Sequence, residues 1–386
     1  MAEQIVGPSF FSFNLTVETP VNIDTAIYMI TPDDLPLLFG VNADGMAILP
    51  SAPTTDKQFY WLEEDVPLPR ATLNEALDNS ETGVDLVTGE GVKFAVGDQI
   101  RIDDELMDIT AITGDTLTVA RGSATVNGST VATHASGAEV VGVGSVLIEG
   151  AVGSANFQGR DKYSNYCQIW SKKMNVSATE QVIPKYGIPS EFAHQMMNMV
   201  HHNAVGMEQA ALYGIKFQHA STYRRQTGGL KYFIEDVNTT DTWLTVSAIE
   251  RKLQDAWDRG GKFNVLMGKP SAFDALNNTE GSERVTQVSF DDPRRGRVRA
   301  ETVHTEIGVV SLVRNRWVRS TEAFGFSREN FIHRKLRPML TQPLAKTDDT
   351  DTVMIVCEGG FEVKGQDHMV AWSGLDSASE FPAELV

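Results

Sequence analysis

Residues 190–214 read SEFAHQMMNMVHHNAVGMEQAALYG, and this stretch is the main indicator of the fold class. Ser190 suits a helix N-cap, Glu191 suits the positive end of the helix dipole, and Gly214 is the expected C-terminal stop. Apolar side chains recur between these ends at the spacing of one helix face, at Ala193, Met196, Met197, Val200, Ala204, Met207 and Ala211. The pattern predicts one long helix of about 24 residues, or ~36 Å, packed through this stripe.

The remainder of the chain shows no regular alternation of strands and helices. A second helix is predicted over Val246–Arg259, followed by a strand over Phe263–Met267 and a short helix that ends at Leu276. Residues 303–333 and 352–372 read mainly as strands joined by glycine turns. One long helix among many short strands indicates an α+β fold.

A compact β unit is predicted over residues 91–147. Gln99–Ile102 and Leu106–Ile112 alternate polar and apolar residues, and Thr116–Val119 follows a Gly-Asp turn. Short strands joined by tight turns are typical of a small antiparallel barrel or sandwich.

Residues 1–60 read as an extended arm, because Pro20, Pro32 and Pro36 recur too often for a long helix. The arm has apolar side chains but few regular repeats, so it cannot readily build its own core. We predict that its aromatic anchors are buried against another copy of the chain, and these anchors are Phe10, Phe11, Phe13 and Phe39.

Charge is distributed unevenly along the 386 residues, whose net charge is −18. Residues 1–150 hold 23 acids and 5 bases, whereas residues 284–337 hold 12 bases and 6 acids. An acidic chain argues against a protein that works mainly by non-specific binding to nucleic acid or anionic lipid. We predict that the acidic end of one copy meets the basic stretch of another, through Arg294, Arg295, Arg297 and Arg299. Nucleic-acid contact and a solvated surface are the alternatives for these arginines.

Motifs for catalysis, metals or cofactors are missing. His194 and His201 are two helical turns apart, about 10 Å, which is too far for two ligands of one metal ion. Gly142–Val146 lacks the final glycine of a nucleophile elbow, and Gly260–Lys262 lacks the rest of a phosphate loop. No apolar stretch reaches the roughly 18 residues of a transmembrane helix. We therefore predict a protein that is not an enzyme, with no cofactor, metal site or membrane partner.

Short recognisable segments follow one another along nearly the whole chain: Thr19-Pro20, Phe59–Asp65, Val96–Asp98, Glu105–Met107, Leu117–Gly122, His134–Gly137, Asn165–Trp170, Asn175–Thr179, Met207–Gly214 and Arg225–Leu230. In this order they resemble the major capsid proteins of tailed bacteriophages with the Hong Kong 97-type fold. The resemblance is to the branch that carries a small β module in its extended loop.

The resemblance implies an α+β Hong Kong 97-type fold with a spine helix and an inserted, barrel-like β module. The implied regions are an N-terminal arm (1–60), an extended loop region (61–187) containing the module 91–147, a spine helix with peripheral domain (188–261), an axial domain (262–330) and a return to the peripheral and axial core (331–386).

The function implied by the resemblance is that of a structural shell protein. Many copies would self-assemble into hexamers and pentamers of an icosahedral shell that encloses double-stranded DNA. Implied partners are scaffolding, portal and decoration proteins, with the scaffold supplied separately or removed, because no helical scaffolding segment precedes the arm. The implied location is the virion, after assembly in the cytoplasm of the host bacterium.

Other functions remain open from sequence. An encapsulin-like compartment would keep the fold but hold cargo enzymes, and the phage-like β module disfavours it. A phage tail or adhesion protein would explain the β module but not the long helix and the mixed α+β remainder. An enzyme of unknown class is disfavoured by the missing motifs.

Overall fold

A computed structural model of the chain describes residues 35–38, 48–64, 68–122, 129–146, 149–150, 160–183, 190–273, 276, 285–292, 296–346 and 348–376. The chain divides into two compact units. The first unit comprises Met1–Phe59, Asn165–Ile249 and Phe263–Val386, and the second comprises Tyr60–Ser164 and Glu250–Lys262.

Strands dominate the described residues, as expected for the predicted α+β fold. The strands are β1 Ser51–Pro53, β2 Gln58–Glu63, β3 Arg70–Thr72, β4 Gly83–Asp85, β5 Asp98–Ile102, β6 Glu105–Thr113, β7 Thr116–Ala120, β8 Glu139–Ser145, β9 Asp161–Tyr166, β10 Gln168–Ser177, β11 Phe217–Gln218, β12 Arg225–Gln226, β13 Asp236–Asn238, β14 Val265–Gly268, β15 Val285–Asp292, β16 Gly296–His304, β17 Val309–Arg314, β18 Glu322–Phe326, β19 Phe331–Pro343, β20 Thr350–Val363 and β21 Val370–Ser373. The α-helices are α1 Ala178–Val182, α2 Glu191–Tyr213, α3 Leu230–Phe233 and α4 Val246–Asp258.

The long helix predicted from sequence is α2, and its predicted ends are confirmed. Ser190 Oγ accepts a hydrogen bond from the Ala193 N–H at 3.3 Å, and the helix stops at Gly214. The backbone of Gly214 is not left-handed, since its φ is −58°. Glycine is needed here because a Cβ would lie 2.4 Å from the Thr227 carbonyl oxygen and 2.5 Å from that of Ala210.

The predicted apolar stripe of α2 was only partly right. Ala204, Met207 and Ala211 are buried, but Met197 is 67% exposed and Met199 is buried in its place. The buried face follows Met199, Met207 and Ala211 because α2 packs on one face of a four-stranded sheet, in the order β1-β19-β20-β10. The shared core contains Met174, Val176, Met199, Val353 and Ile355.

The first unit also contains a seven-stranded sheet in the order β13-β21-β18-β14-β17-β16-β15. β14 lies in its interior, parallel to β17 and antiparallel to β18, and all four of its residues are buried. The predicted strand Phe263–Met267 corresponds to β14, and the predicted helix Val246–Arg259 corresponds to α4. In the region of the short helix predicted to end at Leu276, Pro270–Phe273 form a 3-10 turn and Leu276 is helical.

The second unit contains a six-stranded antiparallel sheet in the order β3-β8-β5-β6-β7-β4. Its two ends meet, because the Val87 N–H donates to the Thr72 carbonyl (3.0 Å) and the Asn74 N–H donates to the Asp85 carbonyl (2.8 Å). The sheet thus closes into a barrel around the core Ala71, Leu73, Leu77, Val84, Leu86, Phe94, Ile100, Ile102, Met107, Ile109, Leu117, Val119 and Val140. β3 and β4 precede residue 91, so the barrel is longer in sequence than the predicted module 91–147.

Candidate functional site

The predicted contact residues occupy two kinds of position. Six of the eight lie outside the described residues, namely Phe10, Phe11, Phe13, Phe39, Arg294 and Arg295. Arg297 and Arg299 lie on β16, where the backbone register pairs them with Asp291 and Ser289 of β15. β16 pairs with β17 only over Glu301–His304, so the part that carries the two arginines pairs with β15 alone. Their contact role stays a prediction.

The described part of the arm is held on the long helix by a buried carboxylate. Glu208 of α2 is fully buried, and its two oxygens accept hydrogen bonds from the N–H groups of Leu37 (2.9 Å) and Leu38 (3.1 Å). The same carboxylate accepts a hydrogen bond from Asn315 Nδ2 at 2.9 Å. Glu208 therefore attaches the arm segment at Leu37 and Leu38 to α2.

A buried amide joins three segments of the first unit. Asn165 Nδ2 donates to Thr227 Oγ1 (3.1 Å), the Gly228 carbonyl (2.9 Å) and the Phe361 carbonyl (2.6 Å). Asn165 Oδ1 accepts from the Gly228 N–H at 2.8 Å. Because buried polar groups are costly when unpaired, this network specifies how the segment after α2 returns to the sheet.

An ion-pair cluster ties the hairpin β11–β12 to the same sheet. The buried carboxylate of Glu358 on β20 lies 2.9 Å from Arg225 Nη2 and 2.9 Å from Arg337 Nε. Arg225 Nε also donates to the Cys167 carbonyl at 3.2 Å. The guanidinium of Arg225 is therefore part of the scaffold that holds the hairpin in place.

The barrel is held by a second buried network. Arg121 contacts both oxygens of Glu105, at 3.0 and 2.9 Å, and the Ala132 N–H donates to Glu105 at 2.9 Å. His134 Nε2 lies 3.1 Å from Glu105, and its Nδ1 lies 2.7 Å from Asp103. Glu105, Arg121 and His134 come from the segments that carried the family resemblance in the module. The resemblance in this module therefore rests partly on residues that stabilise the barrel.

Burial and hydrogen bonding act in opposite directions on Glu105. Burial raises its pKa, but the hydrogen bonds with Arg121, Ala132 and His134 outweigh burial and lower the pKa to about 2. The carboxylate stays ionised over the physiological pH range, where it stabilises the barrel.

An exposed apolar face lies on the ribbon formed by β2 and β9. Trp61 is buried and stacks on Tyr163 with ring centroids 6.2 Å apart, whereas Tyr60 is 52% and Leu62 60% exposed. Lys162 Nζ lies 4.0 Å above the Tyr60 ring. Exposed aromatic and aliphatic side chains on one face of a ribbon are typical of a protein–protein contact.

Sites for small-molecule chemistry are not evident in the described part of the chain. Within it, no group of three or more histidine, cysteine, aspartate or glutamate side chains is arranged to hold a metal ion. His194 Nε2 is 3.3 Å from Asn198 Nδ2, and the rings of His201 and His202 are 6.4 Å apart. None of the helices in the described ranges is both long and apolar enough to cross a membrane.

Sequence reasoning missed the residues that position these surfaces. Glu208 lies seven residues after His201 and belongs to no motif, whereas in the structure it anchors the arm at Leu37 and Leu38. Asn165 and Arg225 stand out only as parts of resembling segments. A buried charged residue on an apolar helix face is a usable signal, but its partners at Leu37 and Asn315 lie far away in sequence.

Comparison with known proteins gives the family. A profile of the SU10 major capsid protein family matches residues 9–376. No curated protein matches the sequence. Among solved structures, the capsid of Myoviridae phage XM1 is similar with a TM-score of 0.50 at 9% identity, covering 96% of this chain and 100% of that chain.

Two further structures show weaker similarity. The phage G structure of gp27 major capsid proteins and gp26 decoration proteins has a TM-score of 0.47 at 8% identity, covering 97% of this chain and 100% of that chain. The SrpI encapsulin of Synechococcus elongatus PCC 7942 has a TM-score of 0.44 at 10% identity, covering 58% and 80%. The Hong Kong 97-type fold expected from the sequence is confirmed, and the chain belongs to the SU10 major capsid protein family.

Proposed function

We propose that this capsid protein self-assembles into hexamers and pentamers that close an icosahedral shell around double-stranded DNA. The family match over residues 9–376 is the observation that carries the proposal. Assembly in the cytoplasm of a host bacterium, with scaffolding, portal and decoration proteins as partners, belongs to the same proposal. In this role the chain needs contact surfaces rather than a catalytic centre.

The proposal assigns a separate role in assembly to each region expected from the sequence. The arm (1–60) and the loop region (61–187) reach neighbouring subunits, and the axial domain (262–330) lies around the capsomer axis. Glu208 supports this division because it holds the arm at Leu37 and Leu38, leaving the preceding residues for a neighbour. Phe10, Phe11 and Phe13 precede this anchor, and Phe39 follows it directly.

Deleting residues 2–34 tests the arm. The deletion removes Phe10, Phe11 and Phe13 but leaves the contact between Glu208 and Leu37 intact. We expect a folded subunit that sediments as small oligomers, whereas the full chain sediments as shells of uniform size. Because each buried Phe contributes ~1.5–3 kcal/mol, loss of three per subunit should abolish closure. Closed shells from the deleted chain would overturn the arm's role.

Sedimentation of the full chain tests the proposed function itself. We expect particles of many copies when the purified protein is concentrated in low salt. A full-length chain that stays monomeric under all assembly conditions would overturn the proposal. A chain that forms open sheets or tubes would overturn its icosahedral part.

A further inference from the structure

The hairpin that follows α2 lies in a segment that is basic in sequence. Residues 214–231 contain four bases, namely Lys216, Arg224, Arg225 and Lys231, and no Asp or Glu. Arg225 forms an ion pair with Glu358 and Lys231 forms one with Glu322, but the Arg224 side chain has no ion-pair partner among the described residues. Here we call residues 214–231 together with Ile169 the hairpin surface.

Large apolar side chains stand out on the hairpin surface. Ile215 is 59% exposed, Phe217 53%, Tyr223 70% and Ile169 50%. A cavity of about 320 Å³ opens between Tyr223 and Ile169. A surface that combines exposed aromatic residues, an arginine outside any described ion pair and a cavity has the composition of an interface core.

The backbone holds Tyr223 in a strained conformation. Its φ is 54°, a left-handed value that is unfavourable for a residue with a side chain. The turn fixes this conformation, because the Tyr223 N–H donates to the His219 carbonyl at 3.0 Å and the His219 N–H donates to the Arg224 carbonyl at 2.9 Å. His219 Nδ1 accepts from the Thr222 N–H at 3.2 Å. Such strain is commonly retained where the side chain is needed at that position.

The barrel of the second unit carries acidic and exposed apolar residues that complement the hairpin surface. Residues 70–145 contain 12 acids and 4 bases. Val96 is 47% and Val146 65% exposed. Asp98 pairs with Ser145, so the two valines lie at the same end of the barrel. Asp98 itself lies at this end, so apolar side chains stand beside a carboxylate here, as Tyr223 stands beside Arg224.

We propose that the hairpin surface binds the acidic barrel of a second copy of this chain. The proposal rests on the proposed self-assembly and names one of its contacts. Tyr223 and Ile169 supply the apolar contact with the barrel end at Val96 and Val146. Arg224 supplies charge complementarity with the barrel, which sets register and encounter rate more than affinity.

Site-specific photocrosslinking tests this contact in assembled shells. A benzophenone amino acid replaces Tyr223, and shells are assembled from a mixture of isotopically heavy and light chains. We expect crosslinked peptides in which a heavy hairpin joins a light segment from residues 70–145. The same probe at Val309, which is 49% exposed on β17, serves as the control and should give no crosslink to the barrel.

The crosslinking outcomes separate the inference from the proposed function. Shells whose Tyr223 crosslinks reach other segments, or only the same copy, would overturn the inference and leave self-assembly intact. A wild-type chain that forms no shells would overturn the proposed function, on which the inference rests.

Substitutions give a second, independent test. Tyr223→Gly relieves the positive φ, so the subunit should keep its melting temperature while shell assembly slows at least tenfold. Arg224→Glu should slow assembly in low salt, and the difference from wild type should shrink near 1 M salt, where the Debye length is about 3 Å. Tyr232→Ala, at a position 46% exposed outside the turn, is the matched control. Wild-type assembly rates for both hairpin variants would overturn the inference.

Discussion

At the residue scale, single buried charges determine where the proline-broken arm attaches. The Glu208 carboxylate accepts hydrogen bonds from Leu37, Leu38 and Asn315. A carboxylate is buried at this cost only when its partners are fixed, since an unpaired buried charge is strongly unfavourable. The arm is therefore attached to α2 at a defined point, Leu37 and Leu38.

Glu208→Gln should lower the free energy of unfolding by about 1–3 kcal/mol. The amide places an NH₂ group against a backbone N–H, so one buried donor loses its acceptor. Urea denaturation of the unassembled subunit measures the loss. Gln209→Ala, on the exposed side of the same turn, is the control and should change stability little. Equal stability of the wild type and Glu208→Gln would contradict the anchoring role.

Glu105 should make the barrel sensitive to acid. Its folded pKa, about 2, lies below the ordinary value of 4.5, so its stabilising contribution is complete above pH 4.5 and disappears as the pH falls towards 2. The shift corresponds to about 3 kcal/mol. Urea denaturation at stepped pH should show this extra loss in the wild type and not in Glu105→Gln. Parallel pH profiles for the two proteins would contradict the assignment.

At the scale of elements, the sequence predicts those structural features that depend on residues close together in the chain. The ends of α2 could be predicted because Ser190 and Gly214 act locally. The predicted buried face of α2 included Met197 instead of Met199. Both residues fit a helical stripe, and only packing on the sheet determines which of them is buried. The anchoring of Leu37 by Glu208 could not be predicted, because 171 residues separate the two.

The barrel illustrates the same limit. β5, β6 and β7 were predicted because their alternation and turns are local. β3 and β4 are only three residues each, too short to show a period, and they are strands because they close the barrel. The resemblance drew attention to Arg121 and His134, but their contact with Glu105 depends on the folded barrel.

Close packing at the end of α2 gives a prediction for glycines. A Cβ on Gly229 would lie 2.4 Å from the Ala210 carbonyl oxygen, so Gly229→Ala should cost about 1–3 kcal/mol by overpacking. A Cβ added to Gly206, inside α2, would meet nothing within 4 Å, and Gly206→Ala should stabilise by about 0.5–1 kcal/mol. Thermal unfolding of both variants measures the contrast. The opposite order of stabilities would contradict the described return of the chain onto the helix.

At the scale of the whole molecule, the chain combines a first unit with a four-stranded and a seven-stranded sheet and a second unit with a closed acidic barrel. The barrel buries its own apolar residues, and so we expect it to be separable. Replacing residues 70–145 by a Gly/Ser linker should leave a soluble first unit. Replacing only 91–147 should instead cause aggregation. This replacement removes β8 and β7, the strands that pair with β3 and β4, and exposes core residues such as Leu73 and Val84. Solubility and circular dichroism distinguish the two, and insolubility of the 70–145 replacement would contradict separability.

Electron cryomicroscopy of particles formed by the full chain is the decisive measurement for the proposed function. We predict closed icosahedral shells built from hexamers and pentamers, with the α2 helix of about 35 Å resolved in every subunit. Closed shells without icosahedral symmetry, or a protein that forms no shell, would contradict the proposal.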